Sequence, residues 1–116
     1  MAPTTPKPDP FRNLSWNDLD AWTGSVIVER GRDYHRCGLV KDLARTPEDA
    51  LVAWVLGTRK YATLVEMSGG KLNSSCTCPY DGTCKHAVAV ALAYLELLKR
   101  GVEPPPVGER DERLRL

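Results

Sequence analysis

The sequence predicts an α+β domain: small N-terminal helices, a three- or four-stranded antiparallel sheet, a cysteine/histidine knuckle and a C-terminal helix. Three observations predict it. Apolar side chains recur at loosely helical spacing over residues 16–35. Residues 38–75 then break into four short apolar runs separated by turn-forming residues. Finally, three of the four cysteines and one of the two histidines fall between Cys76 and His86, directly ahead of an apolar run, Ala87 to Leu98. A chain of 116 residues is of single-domain size, with a core small enough for a metal ion to matter to its stability. Hydrophobic residues at 42% and charged residues at 27% place it among globular rather than disordered chains.

The first stretch, residues 1–12, holds four prolines in its first ten positions and no apolar core, so it reads as a flexible arm and not a secretory signal. Ser15 followed by Asp18 is a variant of the capping box and starts a helix. Trp16, Leu19, Trp22, Val26 and Tyr34 continue it, and Gly24 and Gly31 interrupt it, giving one or two short helices with aromatic residues facing the core. Strands follow at about 38–45, 50–56, 60–68 and 71–75. Between them lie Thr46-Pro47-Glu48-Asp49, Gly57-Thr58-Arg59 and Gly69-Gly70, the spacing of an antiparallel meander. The last helix runs from His86 to about Arg100, with Lys99 and Arg100 in its final turn and Gly101 as its stop. Beyond it, Glu103-Pro104-Pro105-Pro106 and a charged remainder read as a flexible tail or linker, 102–116. The domain proper is 13–101. Its apolar run of twelve residues falls short of the roughly 20 that a membrane span needs, so no membrane is expected. The chain reads as cytoplasmic, where clustered cysteines more often bind metal than form disulfides.

The cluster has the form C-x-C-x5-C-x-H: Cys76, Cys78, Cys84 and His86. Three thiolates and an imidazole are a tetrahedral zinc set, with Zn–S about 2.3 Å and Zn–N about 2.0 Å. Pro79, Asp81 and Gly82 are turn-formers able to close the chain around one ion. Thr77 and Lys85, the intervening residues, point away from it. Zn²⁺ with three thiolates and a neutral histidine is formally an anion, and the partial positive charge of a helix N-terminus complements it. Lys85 favours ionised cysteines in the same way. Other readings compete. A disulfide leaves one cysteine over and makes C-x-C a poor bridge; a catalytic Cys–His pair leaves two soft ligands unused; and inert buried cysteines need no spacing at all.

With Cys78-Pro79 and Cys84-Lys85-His86-Ala87-Val88-Ala89-Val90, the cluster resembles the SWIM-type zinc finger, in which C-x-C, a variable gap and C-x-H run into a helix. The resemblance covers about residues 60–100, including Tyr61-Ala62-Thr63-Leu64-Val65-Glu66 as the preceding strand. Arg30-Gly31-Arg32-Asp33-Tyr34 and Gly38-Leu39-Val40 also resemble the segment ahead of the finger in many bacterial members. It implies a zinc-dependent fold of short strands and a helix that binds DNA or protein. Members usually occur as one module of a larger protein, beside helicase-like ATPases or in transposases.

The remaining residues bear on the partner. Arg59, Lys60, Lys71 and Lys85 form a basic patch for phosphates if the meander folds against the knuckle; the alternative is an ordinary solvated face. Net charge is +1, but residues 59–100 carry six basic against three acidic side chains. Tyr80, between the ligand pairs, is the aromatic placed for partner contact, while the tryptophans read as core. Cys37 reads as a small buried residue, and His35 with it offers too few ligands for a second metal. Because 87–98 is apolar almost all round, a second copy or a partner protein is expected to cover part of it. With no paired acids, phosphate loop or open metal position, neither an enzyme nor a small-molecule substrate is expected. Nucleic acid, DNA in the first place, is the leading partner, and docking to a larger protein such as a helicase-like ATPase is the alternative.

Overall fold

A computed structural model describes residues 11–79 and 84–115. Helices α1 (Trp16–Thr23) and α2 (Ser25–Arg36) lead into strands β1 (Val40–Arg45), β2 (Leu51–Leu56), β3 (Lys60–Ser68) and β4 (Lys71–Cys76), then helix α3 (Lys85–Lys99) and a short 3-10 helix, Glu112–Arg115. The sheet is an antiparallel meander in the order β1-β2-β3-β4. The predicted α+β architecture is therefore present with all four strands.

Local chemistry explains the element boundaries. Ser15 accepts from the Asp18 backbone N–H while the Asp18 carboxylate accepts from the Ser15 backbone N–H, so the capping box starts α1. Gly24, at φ +89°, separates α1 from α2 in a conformation side chains rarely adopt. Gly31 does not interrupt α2 as its sequence position suggests. A Cβ there would lie 2.6 Å from the Val88 side chain and 2.9 Å from the Lys85 carbonyl oxygen, so the glycine serves close approach of α2 to α3.

Helix α3 lies between two apolar layers. Ala87, Val90 and Tyr94 join Leu51, Ala53, Val55 and Val65 of the sheet, and Val88, Ala91 and Leu92 join Leu19 and Val28 of the first two helices. These are two faces of one helix at i, i+3 and i+4 spacing. The apolar circumference of 87–98 is thus largely covered from within the chain, by the sheet on one side and by α1 and α2 on the other. Among the described residues, no helix is long and apolar enough to cross a membrane.

Four expectations are corrected. The flexible arm was expected through residue 12; residues 1–10 lie outside the described part, but Phe11 is fully buried, its ring edge-on to Tyr94 at 5.7 Å. Trp16 and Val26 are exposed rather than core, because Leu19 and Val28 occupy the buried faces of their helices. Cys37 is exposed as well, at the end of α2.

The fourth concerns the segment after Gly101. Instead of fraying, it runs back along β1: Arg45 N–H donates to the Pro105 carbonyl and Val107 N–H to that of Arg45. The 3-10 helix packs on β2, and Arg113, largely buried, donates to the Asp42 carbonyl and to the Asp111 carboxylate. Asp42 sits in the bulge of β1 at φ +55°. The physical cause is an edge strand with unpaired backbone groups beside an outer sheet face carrying Val52, Trp54 and Ala62, both of which favour cover.

Candidate metal centre

The centre forms where β4 ends and α3 begins. Cys76 is the last residue of β4, paired across the ladder with Thr63, and Cys84 is the N-cap of α3. The strand therefore presents the first pair of ligands and the helix the second. Ladder-like pairing continues one residue past the strand: Thr77 N–H donates to the Ala62 carbonyl, and Ala62 N–H donates to the Thr77 hydroxyl. That clamp holds C-x-C in an extended turn with both sulfurs on the helix side. Thr77 is exposed as anticipated, but its hydroxyl is engaged by the backbone.

The four donor atoms of Cys76, Cys78, Cys84 and His86 all lie within 4.8 Å of one another. The His86 Nδ1 to Cys76 Sγ separation is 3.6 Å, close to the edge of about 3.5 Å that a tetrahedron of Zn–S and Zn–N bonds would have. These residues are positioned to hold a metal ion, and the donor chemistry fits one: three soft sulfurs and one imidazole nitrogen around a common centre. All four tetrahedral positions are filled by the protein, which makes the site structural rather than open for catalysis.

The surroundings favour negative charge on sulfur. The Cys78 backbone N–H donates to Cys76 Sγ, and the fully buried Thr63 hydroxyl lies 3.2 Å from the same sulfur. The Ala87 N–H, in the first turn of α3, donates to Cys84 Sγ, so the helix start contributes its partial positive charge. Between the cysteines, the Cys84 thiol donates to Cys76. That hydrogen bond, helped by His86, Thr63 and the Cys78 amide against the opposing effect of burial, holds Cys76 well below the ordinary thiol range. The same contact, with burial, pushes Cys84 up. A proton thus sits where a cation would neutralise the crowded sulfurs instead.

His86 is held as tightly as the sulfurs. Its ring is stacked on Tyr61 at 4.9 Å and meets Tyr34 edge-on at 5.1 Å. Nε2 is buried and has no hydrogen-bond partner among the described residues. It faces Gly57: a Cβ built there would sit 3.5 Å from Nε2 and 3.4 Å from the Tyr34 hydroxyl. The role of Tyr34 and Tyr61 as walls of the imidazole comes from α2 and β3 closing on the start of α3, which no sequence interval displays.

The predicted contact residues do not form one patch. Lys60 lies 4.1 Å above the Trp54 ring on the outer sheet face, and the Lys85 ammonium lies 5.0 Å from the centre of the Tyr34 ring. Arg59, exposed in the β2–β3 turn, shares that end of the sheet. Lys71 pairs with Ser68 at the far end of β3. Eight residues of strand, about 26 Å, separate it from Lys60. Tyr80, with Asp81 and Gly82 of the expected turn, lies outside the described residues.

Comparison with known proteins agrees with this geometry. Residues 61–95 match the SWIM zinc finger family model, a span that runs from β3 through the four ligands into α3. An uncharacterized protein of Methanocaldococcus jannaschii is 37% identical over 68 residues, covering 59% of this chain and 29% of that protein. The chain therefore spans less than a third of the length of that curated relative. No solved structure matches.

Proposed function

We propose that this chain, carrying a SWIM zinc finger at residues 61–95, is a non-catalytic, zinc-dependent binding module whose partner is nucleic acid, DNA in the first place. The observation that carries the reading is the pairing of a closed four-ligand site with exposed cations on the elements it joins. Such a site has no open position for chemistry. What it does is hold the end of β4 against the start of α3, and so fix a surface. Zinc is the ion of choice, since a tetrahedral S₃N set suits a metal with no redox chemistry and no geometric demand of its own.

Nucleic acid is favoured over other partners because the near-neutral total charge conceals local excess. Around the metal end stand Arg59, Lys60 and Lys85, and a separate group of four cations lies on the second half of α2 and at the end of α3. Phosphate contacts need no more than a few such side chains, and their signature is affinity that falls linearly with the logarithm of salt. Docking to a larger protein is the second reading. It is supported by the relative in which the matched stretch is only 29% of the length.

Two measurements test the proposal. Metal analysis of the purified protein should return one zinc per chain, lost on chelation together with the near-ultraviolet signature of Tyr61 and Tyr34. Labelled single- and double-stranded DNA and RNA should then bind with a negative salt slope. Binding that is absent at about 50 mM salt would transfer the assignment to protein docking.

A further inference from the structure

The cations singled out in the sequence are dispersed, but the structure gathers another set. A groove of about 820 Å³ runs between the start of α1, the last turns of α2 and the last turns of α3. Its floor is apolar, formed by Leu14, Leu92, Leu95 and Leu98, and its rim carries Arg32, Arg36, Lys99 and Arg100. The one acid in its lining, Glu96, is already engaged by Arg100 at 3.0 Å and by His35 at 3.1 Å. Asp20, Glu29 and Asp33, exposed on the same helices, are not part of that lining. At one end stands Trp16, 50% exposed.

We infer that this groove binds single-stranded nucleic acid, with the four basic residues on successive phosphates and Trp16 stacked on an unpaired base. The inference rests on the nucleic-acid reading above and assigns its surface. Basic residues near a helix C-terminus have a simpler role in offsetting the helix dipole, and Arg36, Lys99 and Arg100 satisfy it. Arg32, in the middle of α2, does not, and neither does an exposed tryptophan. Trp16 is held at the first position of a helix whose capping box is complete, with the Arg32 guanidinium 6.0 Å from its ring centre. A fixed aromatic face beside a row of cations is the pattern that engages single strands, where every base offers a stacking face. A duplex keeps those faces paired and hidden, and an acidic peptide would use the cations but not the ring.

The test uses the zinc-loaded full chain and a labelled oligothymidylate of about 20 nucleotides, with a duplex of equal length and polyglutamate as competitors, across a salt series. The single strand should bind in preference to both. Arg36→Glu with Lys99→Glu, both exposed positions, should weaken binding at least about tenfold and reduce the log–log salt slope by about 1.4, the value for two phosphate contacts on a single strand. Trp16→Ala should weaken it about fivefold or more with the slope unchanged, as loss of stacking requires. Lys41→Glu with Arg110→Glu, exposed positions on β1 and in the C-terminal segment, should stay within about twofold of wild type. Circular dichroism and zinc content establish that each variant is folded.

If wild type binds and the groove variants bind equally well, the groove is wrong and the nucleic-acid reading stands. If wild type binds no nucleic acid at low salt, both fall. Preference for the duplex, or equal competition by polyglutamate, overturns the single-strand assignment.

Discussion

The first turn of α3 and its middle are held by different physics. From Ala87 to Tyr94 the helix is buried on one side by the sheet and on the other by α1 and α2, with apolar contacts that end in the Phe11–Tyr94 pair. Apolar burial holds that part. At the first turn, Cys84 and His86 face Cys76 and Cys78 across a space lined by sulfur, an imidazole and two tyrosines. Ala87 and Val88 of that turn are buried, but the groups that meet across the junction itself are polar or ionisable. The lesson is that the metal does not build the core. An ion held there would tie strand end to helix start through its ligands, in addition to the apolar contacts of Cys84 and Ala87.

Removing the ion therefore has the largest expected effect, and a localised one. Structural zinc sites contribute roughly 10–16 kcal/mol of apparent binding free energy at neutral pH, much of it expressed as folding. Chelation, or Cys84→Ser, should abolish metal binding and lower the melting temperature sharply. Amide exchange should quicken first at Thr77, Cys78 and the opening turn of α3, while β2, β3 and the centre of α3 stay protected longest. A Cys84→Ser protein with unchanged circular dichroism and melting would sink the structural role of the site.

The middle of the helix is probed at Gly31. Adding a methyl group there places carbon 2.6 Å from Val88 and 2.9 Å from a backbone oxygen, neither of which can yield without moving α2. Gly31→Ala should cost about 1–3 kcal/mol and leave one metal per chain. Gly108→Ala, where a Cβ meets nothing within 4 Å, is the matched control and should melt like wild type. Equal melting of both variants would mean that the α2–α3 contact is not tight.

A smaller effect is expected on the sulfur side. Thr63→Val removes the hydroxyl beside Cys76 Sγ while keeping the shape of a fully buried side chain. Partners behind the ligands typically account for about 10–100-fold in metal affinity, and Thr63 is one of several here, so about tenfold is expected. Competition with a chromophoric chelator reads it directly. Metal-free stability should change much less, and a variant that loses stability without losing metal affinity would reassign Thr63 to packing.

The parts legible in the sequence were those set by local chemistry. Thr46 to Asp49 and Gly69-Gly70 marked turns, short apolar runs between turns marked β2 and β3, and C-x-C-x5-C-x-H marked the ligands, because thiolate and imidazole chemistry is specific and their spacing is short. Trp16 misled, since an aromatic at helical spacing is usually core, whereas here Leu19 takes the inward position. Gly31 misled for a related reason: its meaning lies in Val88, which is remote in sequence. The basic residues could not be grouped without the crossing of α2 on α3, which puts Arg36 beside Lys99. Nor could the charged C-terminal segment be read as structure, because its anchor, Arg113, finds partners in Asp111 and in a carbonyl turned outward by a bulge at Asp42.

That segment supports the last and smallest prediction. Asp111 accepts from the Arg113 guanidinium at 2.7 and 2.9 Å and from its backbone N–H. The guanidinium beside it lowers the carboxyl from 3.8 to about 2. A carboxyl lowered in the folded state contributes its stability in full above the unfolded value near 4 and loses it as pH falls toward 2. Asp111→Asn should therefore lower stability by about 1 kcal/mol at neutral pH, and its difference from wild type should shrink between pH 4 and pH 2. Since Arg113 is the more buried partner, Arg113→Ala should loosen the same segment and speed its proteolysis after Gly101. Arg113 and Leu114 share a cleft with Cys76 and Thr77, but they lie on the sheet face that carries Trp54, whereas the four ligand atoms gather on the α3 side. Both variants should therefore retain zinc at neutral pH, and loss of the ion from either would show that the C-terminal segment and the metal centre are one cooperative unit.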